Sequence, residues 1–561
     1  MLRLMLAVFV FCVLTSALRH LAEEEPMQLL VDKLADENLR SKPQTALTPR
    51  LLKLSDNVYT AVNYGLGNSI MIIAPKGLII IDTTESLESA RKVFSAFRQI
   101  SQKPVRAIVY THNHLDHING AAAFLAHSDD PASIEIWAHP DLPSLVAFSQ
   151  GTLAPVRFIR MVRQFGVLLP PKLRTNAGLG PQLNFDAASA LGFVPPNRFP
   201  ARPPDQIAVH WPDQRMVFCG DILYKAFPNL YSIRGTAFRS AVTWYQSLDR
   251  IRGLRPAWLV PSHHMPICGQ SEVFNLLTEY RDAIQLVHDQ TVRLMNKDVH
   301  PEEIAGTVQL PPQLAANPYL EESFGTVRWS SKGIYSGYMG WFSGDVVDLN
   351  PHSPKQTAER WVRLAGGVQL CLEEAHKALD DLDPQWTLQL TSAVLHIDPD
   401  NKQAKSLKVL ALLHLAEKET SFAGKNYYLT VAFETVEKLK VAVSQQTVRA
   451  KIARAPIRQL FHFMQIQFKA EVCSLMDSLV EFNYPDVSET VVFHVRNGVM
   501  ELISDKNLIT RSPDIRVEVS SPVWRKFWLG ELSTEQISTL FSVKPNPFAL
   551  VKLISCFERV L

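Results

Sequence analysis

One stretch limits what this chain can fold into more than any other. It is "VRAIVYTHNHLDHING" at 105–120, an apolar run followed at once by His112, His114, Asp116 and His117. The apolar half reads as a buried strand. A strand that runs straight into four ligand-type side chains belongs to a sheet covered by helices, because in layered α/β folds the loops at strand ends carry the site. Imidazole and carboxylate suit zinc and related divalent ions. His112 and His114, two apart, can face one metal, while Asp116 and His117 can face a second.

The flanking sequence agrees with a layered sheet. Residues 57–83 concentrate β-branched and aliphatic residues around turns at "GLGN" and "PKG" and read as adjacent strands. From Glu85 to Ile100, Leu87, Ala90, Val93, Phe94 and Phe97 fall at helical spacing. The unit recurs at 207–223, where two strands join through "PDQ", and at 257–264, "AWLVPSHH". These bring Asp221 and His263 to strand ends. Alone, each is an ordinary turn or surface residue; beside the first motif, each becomes a candidate ligand. Asp82, after "III", either caps a turn or orients a ligand imidazole. His139 reads as a turn residue, His210 as a structural strand residue, and His264 lies within reach of the site but could as easily face solvent. None of the three is assigned to a metal.

Past about residue 275 the pattern turns to long helices, and 386–417 reads as two helices around "DPDN", a single tetratricopeptide-like hairpin. From about 440 a helical stretch gives way to the alternating "DVSETVVFHVRNGVMELIS", a third, smaller α+β unit. The 561 residues suffice for three or so domains at ~150 residues each. A chain with 47% hydrophobic residues, 20% charged residues and a net charge of +2 is neither disordered nor built for a nucleic acid or another polyanion.

The N-terminus, "MLRLMLAVFVFCVLTSALRH", carries Arg3, an apolar run from Leu4 to Leu14 and the small residues Thr15, Ser16 and Ala17. It reads as a secretory signal over 1–19, too short for the ~20 residues of a membrane span. No later segment is a candidate span, so the expected location is outside the cell or in the secretory-pathway lumen. Cys12 would leave with the signal. Cys219, Cys268, Cys371, Cys473 and Cys556 are scattered and suggest no disulfide framework. There is no Asn-x-Ser/Thr acceptor.

In this order, "THNHLDHING", "GDIL" and "PSHH" resemble the metallo-β-lactamase fold, an αββα sandwich with zinc at its strand ends. "NYGLGNSIMI", "FPNLYSIRGT", "YRDAIQLVHDQTVRLMN", "YSGYMGWFSGD" and "KNYYLTVAFE" narrow the resemblance to the alkylsulfatases that hydrolyse dodecyl sulfate. It spans nearly the whole chain after the signal. It implies an α/β metallo-β-lactamase sandwich over 45–275, an all-α dimerisation domain over 276–435 and a C-terminal α+β domain similar to sterol carrier proteins over 440–561. Implied partners are a second copy of the chain, as a homodimer, and an alkyl sulfate or similar amphiphile.

The resemblance also implies two zinc ions per chain. His112 and His114 would hold one, Asp116, His117 and His263 the other, and Asp221 would bridge them where most such sulfatases carry Glu. Asp82 matches the fold's buried supporting aspartate. Arg202 falls where a Glu or His should complete the first zinc, and a guanidinium has only donors to offer. Asp205 then substitutes, or the first metal is weakly held, or a strand has been lost. Asp116 and Arg234 are the expected catalytic residues, with Arg234, Asn229 and Tyr231 on the sulfate, since arginine suits multi-donor recognition of an oxyanion. The alkyl chain would lie in a groove built from a helical segment and the C-terminal domain. Phe461, Phe463, Phe468, Trp524 and Trp528 read as that domain's core. Two other readings remain: the same centre acting on another ester, thioester or lactam, and a lipid-binding relative whose metal centre has decayed.

Overall fold

The computed structural model describes residues 47–150, 153–183 without 172 and 175, 192–200, 206–442 without 438, 449, 452–453 and 455–558. The signal at 1–19, Arg202 and Asp205 fall outside the described residues.

Two sheets stack face to face. The first runs in chain order through β1 (Arg50–Ser55), β2 (Val58–Val62), β3 (Ser69–Ala74), β4 (Gly77–Ile81), β5 (Val105–Val109) and β6 (Glu135–Trp137). It is antiparallel up to β4 and parallel beyond. The second contains β7 (Val209–Trp211), β8 (Met216–Gly220), β9 (Trp258–Pro261) and β10 (Ile267–Cys268) in the order β10-β9-β8-β7, with β8 and β9 parallel. Each parallel pair needs a crossover: the helix Leu87–Arg98 lies between β4 and β5, the short helices Leu115–Ile118 and Ala121–Leu125 between β5 and β6, and Ala241–Gly253 between β8 and β9. Between the sheets, Ile70, Ile72 and Ile81 meet Met216, Phe218 and Val260. Outside, Val93, Phe94 and Phe97 cover Ile80 and Ile108. On the opposite face, Leu248, Leu277, Tyr280 and Ile284 cover Val217 and Leu259. This is the αββα sandwich that the resemblance implied, and the strand-helix-strand pattern had already pointed to a sheet covered by helices.

The expected boundary at 275/276 falls inside the helix Gln270–Met295, whose buried face runs from Val273 to Leu294. The same core continues into Ile304 and Ile334. The first helices after 275 are therefore the sandwich's outer layer, because one unbroken apolar face has to be buried on one surface. The hairpin expected at 386–417 belongs to a run of five helices: Pro354–Leu364, Val368–Asp380, Pro384–Ile397, Lys402–Lys418 and Phe422–Thr435. The last of these is tied back to the sandwich. Arg163 pairs with Glu434 at 2.8 Å, and Asn426 Nδ2 donates to the Gln164 carbonyl at 3.3 Å.

The C-terminal unit holds β11 (Ser478–Tyr484), β12 (Glu489–Arg496), β13 (Val499–Ile503), β14 (Ile515–Glu518) and β15 (Ser542–Lys544), ordered β13-β12-β11-β14-β15. Phe461, Trp524 and Trp528 are buried in its core, and Phe463 and Phe468 pack against it. The scattered cysteines do yield one bridge, Cys473–Cys556, with Cα atoms 5.7 Å apart. One bridge is not a framework, but it is a pairing that the scattered cysteines did not announce. The partners are 83 residues apart and meet because Phe468 pairs with Phe557 as an isolated bridge, a long-range contact that spacing does not encode. Among the described residues no helix is long and apolar enough to cross a membrane.

Candidate metal centre

Three strand ends converge on one point. β5 runs into Thr111–His117, β8 ends at Gly220 with Asp221 next, and β9 leads through Ser262 to His263. Gly220 has φ +55, which an L side chain rarely adopts, and a Cβ there would also crowd Thr111. Asp82, itself at φ +57, lies beneath the convergence. Its carboxylate accepts Thr111 N–H at 2.9 Å, Thr111 Oγ1 at 2.8 Å and Ser262 Oγ at 2.6 Å, and pairs with His117 Nδ1 at 2.8 Å. One buried anion thus ties β5, β9 and a candidate ligand together.

Asp116 Oδ2, His117 Nε2, His263 Nε2 and Asp221 Oδ1 surround a common centre. The four edges that join an imidazole to a carboxylate measure 3.4, 3.5, 3.3 and 3.3 Å. A tetrahedron with metal–ligand bonds of about 2.0–2.1 Å has edges of about 3.3–3.4 Å. His117 Nε2, His263 Nε2 and Asp221 Oδ1 are buried and have no hydrogen-bond partner among the described residues. Buried polar atoms are normally satisfied, so three orphans aimed at one point fit a divalent cation. The opposite ring nitrogens are occupied, His117 Nδ1 by Asp82 and His263 Nδ1 by the Leu66 carbonyl at 2.9 Å. That arrangement leaves each Nε2 lone pair facing inward.

The neighbouring position is less complete. His112 Nε2 and His114 Nδ1 lie 2.8 Å apart, and Asp221 Oδ2 is 3.4 Å from the first and 4.0 Å from the second. Asp221 spans both positions with its two oxygens. Burial pushes the Asp221 carboxyl pKa up, but His263, His117 and His112 outweigh it and hold it well below the usual range. Burial lowers His263 in turn, and Asp221 and Asp116 outweigh that to bring it to about 9.

Beside the centre lies a concentration of positive charge. Arg234 Nη2 and Arg239 Nη2 each approach His114 Nε2 at 3.3 Å. Burial pushes Arg234 down to about 10, and the Arg239 and Arg157 guanidiniums add to the effect. Two crowded guanidiniums next to a metal-type cluster make a site for an anion. Arg239 did not stand out in the sequence; its five-residue spacing from Arg234 was the available signal. Arg239 Nη1 donates to the Asn229 carbonyl at 2.8 Å, so Asn229 lies at the site with its backbone engaged. Tyr231 does not line the cavity, and its side chain packs against Gly333. The substrate-binding expectation for Tyr231 is corrected accordingly: the motif turns this residue toward the helix Val327–Met339.

Of the two alternatives for His264 the structure favours the inward one: it is half-buried, its Nδ1 accepts Lys225 N–H at 3.1 Å, and burial pushes its pKa down to about 3. His139 accepts Asp141 N–H at 3.1 Å, as a turn residue would, and His210 is exposed on β7.

A cavity of about 520 Å³ opens from the centre. His112, His114, Asp116, Arg234 and Arg239 form its polar end, while Leu145, Phe158, Met161, Phe165 and Phe238 line the apolar remainder. Its walls come from helices at 142–165, the loop after Arg234 and the helix Ala241–Gly253, with none of the described residues of the C-terminal unit among them. The expectation that the C-terminal domain shares in the groove is corrected on that ground.

Comparison with known proteins follows the same division. Residues 62–263 match the metallo-beta-lactamase superfamily, and 300–438 match the alkyl sulfatase dimerisation family. A linear primary-alkylsulfatase of a Pseudomonas species is 36% identical over 522 residues, covering 87% of this chain and 98% of that one. The chain belongs to the alkylsulfatase family. An (R)-specific secondary-alkylsulfatase, also from Pseudomonas, is 26% identical and covers 84% of this chain and 75% of its own. The solved stereoselective inverting sec-alkylsulfatase Pisa1 from Pseudomonas superposes with a TM-score of 0.79 at 21% identity, covering 93% of this chain and 89% of that one. That agreement in fold takes in the sandwich, the helical run and the C-terminal unit. Membership makes the chain a metal-dependent hydrolase, with a helical region of the kind through which alkylsulfatases dimerise.

Proposed function

We propose that this alkylsulfatase family member hydrolyses linear primary alkyl sulfates to alcohol and sulfate with two zinc ions per chain. The observation that carries the reading is the adjacency of three things: the His and Asp cluster, the Arg234 and Arg239 pair, and an apolar cavity sized for an alkyl chain. His112, His114 and Asp221 would hold one ion, and Asp116, His117, His263 and Asp221 the other. Zinc fits the tetrahedral edges and the mixed imidazole and carboxylate set. Divalent metal bound there supplies hydroxide at neutral pH and Lewis acidity.

The chain's own groups supply the rest. Arg234 and Arg239 hold the sulfate oxygens and offset charge as the ester bond breaks. Asp116 lines the cavity and turns Oδ2 to His117 and His263, so its other carboxylate oxygen would be the one to take a proton from attacking water. Apolar side chains seat the alkyl tail and exclude water from it. The convergence of all six candidate ligands opposes a decayed lipid-binding relative. Secretion is part of the proposal, supported by the N-terminal signal pattern and by the Cys473–Cys556 bridge, since disulfides persist in oxidising compartments. A homodimer formed through the helical region completes it.

Arg234→Ala separates this from a hydrolase of neutral esters. Its kcat/KM for dodecyl sulfate is expected to fall about 10²–10³-fold, as for loss of one charge-stabilising donor. Turnover of p-nitrophenyl acetate should change little. An equal loss on both substrates would overturn the assignment of Arg234 to the sulfate.

A further inference from the structure

The two metal positions are unequal in donors. One is surrounded by Asp116, His117, His263 and one oxygen of Asp221; the other has His112, His114 and the second Asp221 oxygen. The residue at which a further ligand was expected, Arg202, carries no acceptor.

We propose that the missing donor is the side-chain carboxamide of Gln206, through Oε1. This rests on the two-metal reading given above. Ile207 N–H donates to the Thr111 carbonyl at 2.8 Å, which sets Gln206 alongside the strand end from which His112 and His114 emerge. Gln206 borders the main cavity together with His112 and His114, and a smaller adjoining one together with His114, Asp116 and Asp221. Its Oε1 is shut off from solvent and has no hydrogen-bond partner among the described residues. That is the condition of His117 Nε2, His263 Nε2 and Asp221 Oδ1, the atoms that mark the other position.

A neutral donor has a physical rationale here. Gln206 shares the adjoining cavity with Arg234 and Arg239. A carboxylate among those guanidiniums would pair with them and compete with an incoming sulfate. An amide oxygen coordinates a hard cation without adding that charge. The cost falls on affinity, because this position then has only the shared Asp221 as an anion. The two ions should bind in separate steps, the weaker step belonging to the His112, His114 and Gln206 side.

The test is zinc uptake against buffered free zinc, read as bound metal per chain by elemental analysis, on the full-length protein and two variants. The unsubstituted protein should fill in two steps. Gln206→Glu should tighten the weaker step at least tenfold, and Gln206→Ala should weaken it at least tenfold, with the tighter step unmoved in both. The isosteric Gln206→Glu variant keeps the test valid should the alanine variant misfold. Two steps with unchanged constants in both variants would overturn the Gln206 assignment and leave the two-metal reading standing. A single step to two zincs per chain would overturn the unequal positions and with them the Gln206 assignment, and uptake that stops at one zinc per chain would overturn both.

Discussion

Gly67 lies against the backbone carbonyl of Asp116 so closely that a Cβ at Gly67 would overlap that oxygen. The loop around it is held from several sides. Leu66 offers its carbonyl to His263 Nδ1, and Asn68 N–H donates to the Ser262 carbonyl at 2.7 Å. Asn68 Nδ2 donates to the His264 carbonyl at 2.7 Å. The "GLGN" turn therefore spaces Asp116 and His263, two members of one metal position. Gly67→Ala should push Asp116 away and weaken metal retention about 10–100-fold, the range for disturbed supporting contacts. Chelator competition measures it, with far-UV circular dichroism to check the fold. Retention equal to that of the unsubstituted protein would show that the loop does not position Asp116.

Glu85 supports the same loop from behind. Its Oε2 accepts Leu66 N–H at 2.9 Å and its Oε1 accepts Ser89 Oγ at 3.0 Å. Burial pushes its carboxyl pKa from 4.5 up to about 7. Because the folded pKa lies above the unfolded one, the folded chain binds more protons between those values. Stability from this group is therefore greatest below pH 4.5, declines as pH rises to about 7 and is flat above that. The full span is about 3 kcal/mol. Glu85→Gln should remove this slope, so that melting temperatures of variant and parent diverge across that window. Parallel curves would contradict the assignment.

The Cys473–Cys556 bridge closes a loop with a sequence separation of 83 residues around the C-terminal core. Its loss should cost about 2–5 kcal/mol. Since none of the described residues of that unit lines the cavity, the loss should leave kcat on dodecyl sulfate unchanged below the melting transition. Melting of Cys473→Ser, with turnover on the same sample, checks both halves. A fall in kcat without a fall in stability would place the C-terminal unit in the reaction.

Much of the centre was legible because its signals are local. His112, His114, Asp116 and His117 occupy one loop, and Asp221 and His263 each follow an apolar strand, so sheet packing alone brings them together. Arg239 was not legible, since a lone arginine on a loop reads as solvated surface until its contact with His114 is seen. Gln206 is hidden for another reason: glutamine is not a usual zinc ligand, and the ligand position that the resemblance implies is Arg202, four positions earlier. Tyr231 shows the opposite error, a motif residue given to the site although its side chain packs on Gly333. A sheet covered by helices followed from strand and helix periodicity, and its doubling into a sandwich from the resemblance. The edge at 275 did not, because the helix Gln270–Met295 continues across it with one apolar face.

The most direct test of the central claim is metal content per chain of purified protein, measured with dodecyl sulfate hydrolysis on the same sample. Zinc bound to the His and Asp cluster should accompany sulfate release, and both should vanish with a chelator and return with zinc. Protein that binds no zinc, or binds it and releases no sulfate from dodecyl sulfate, would contradict the account.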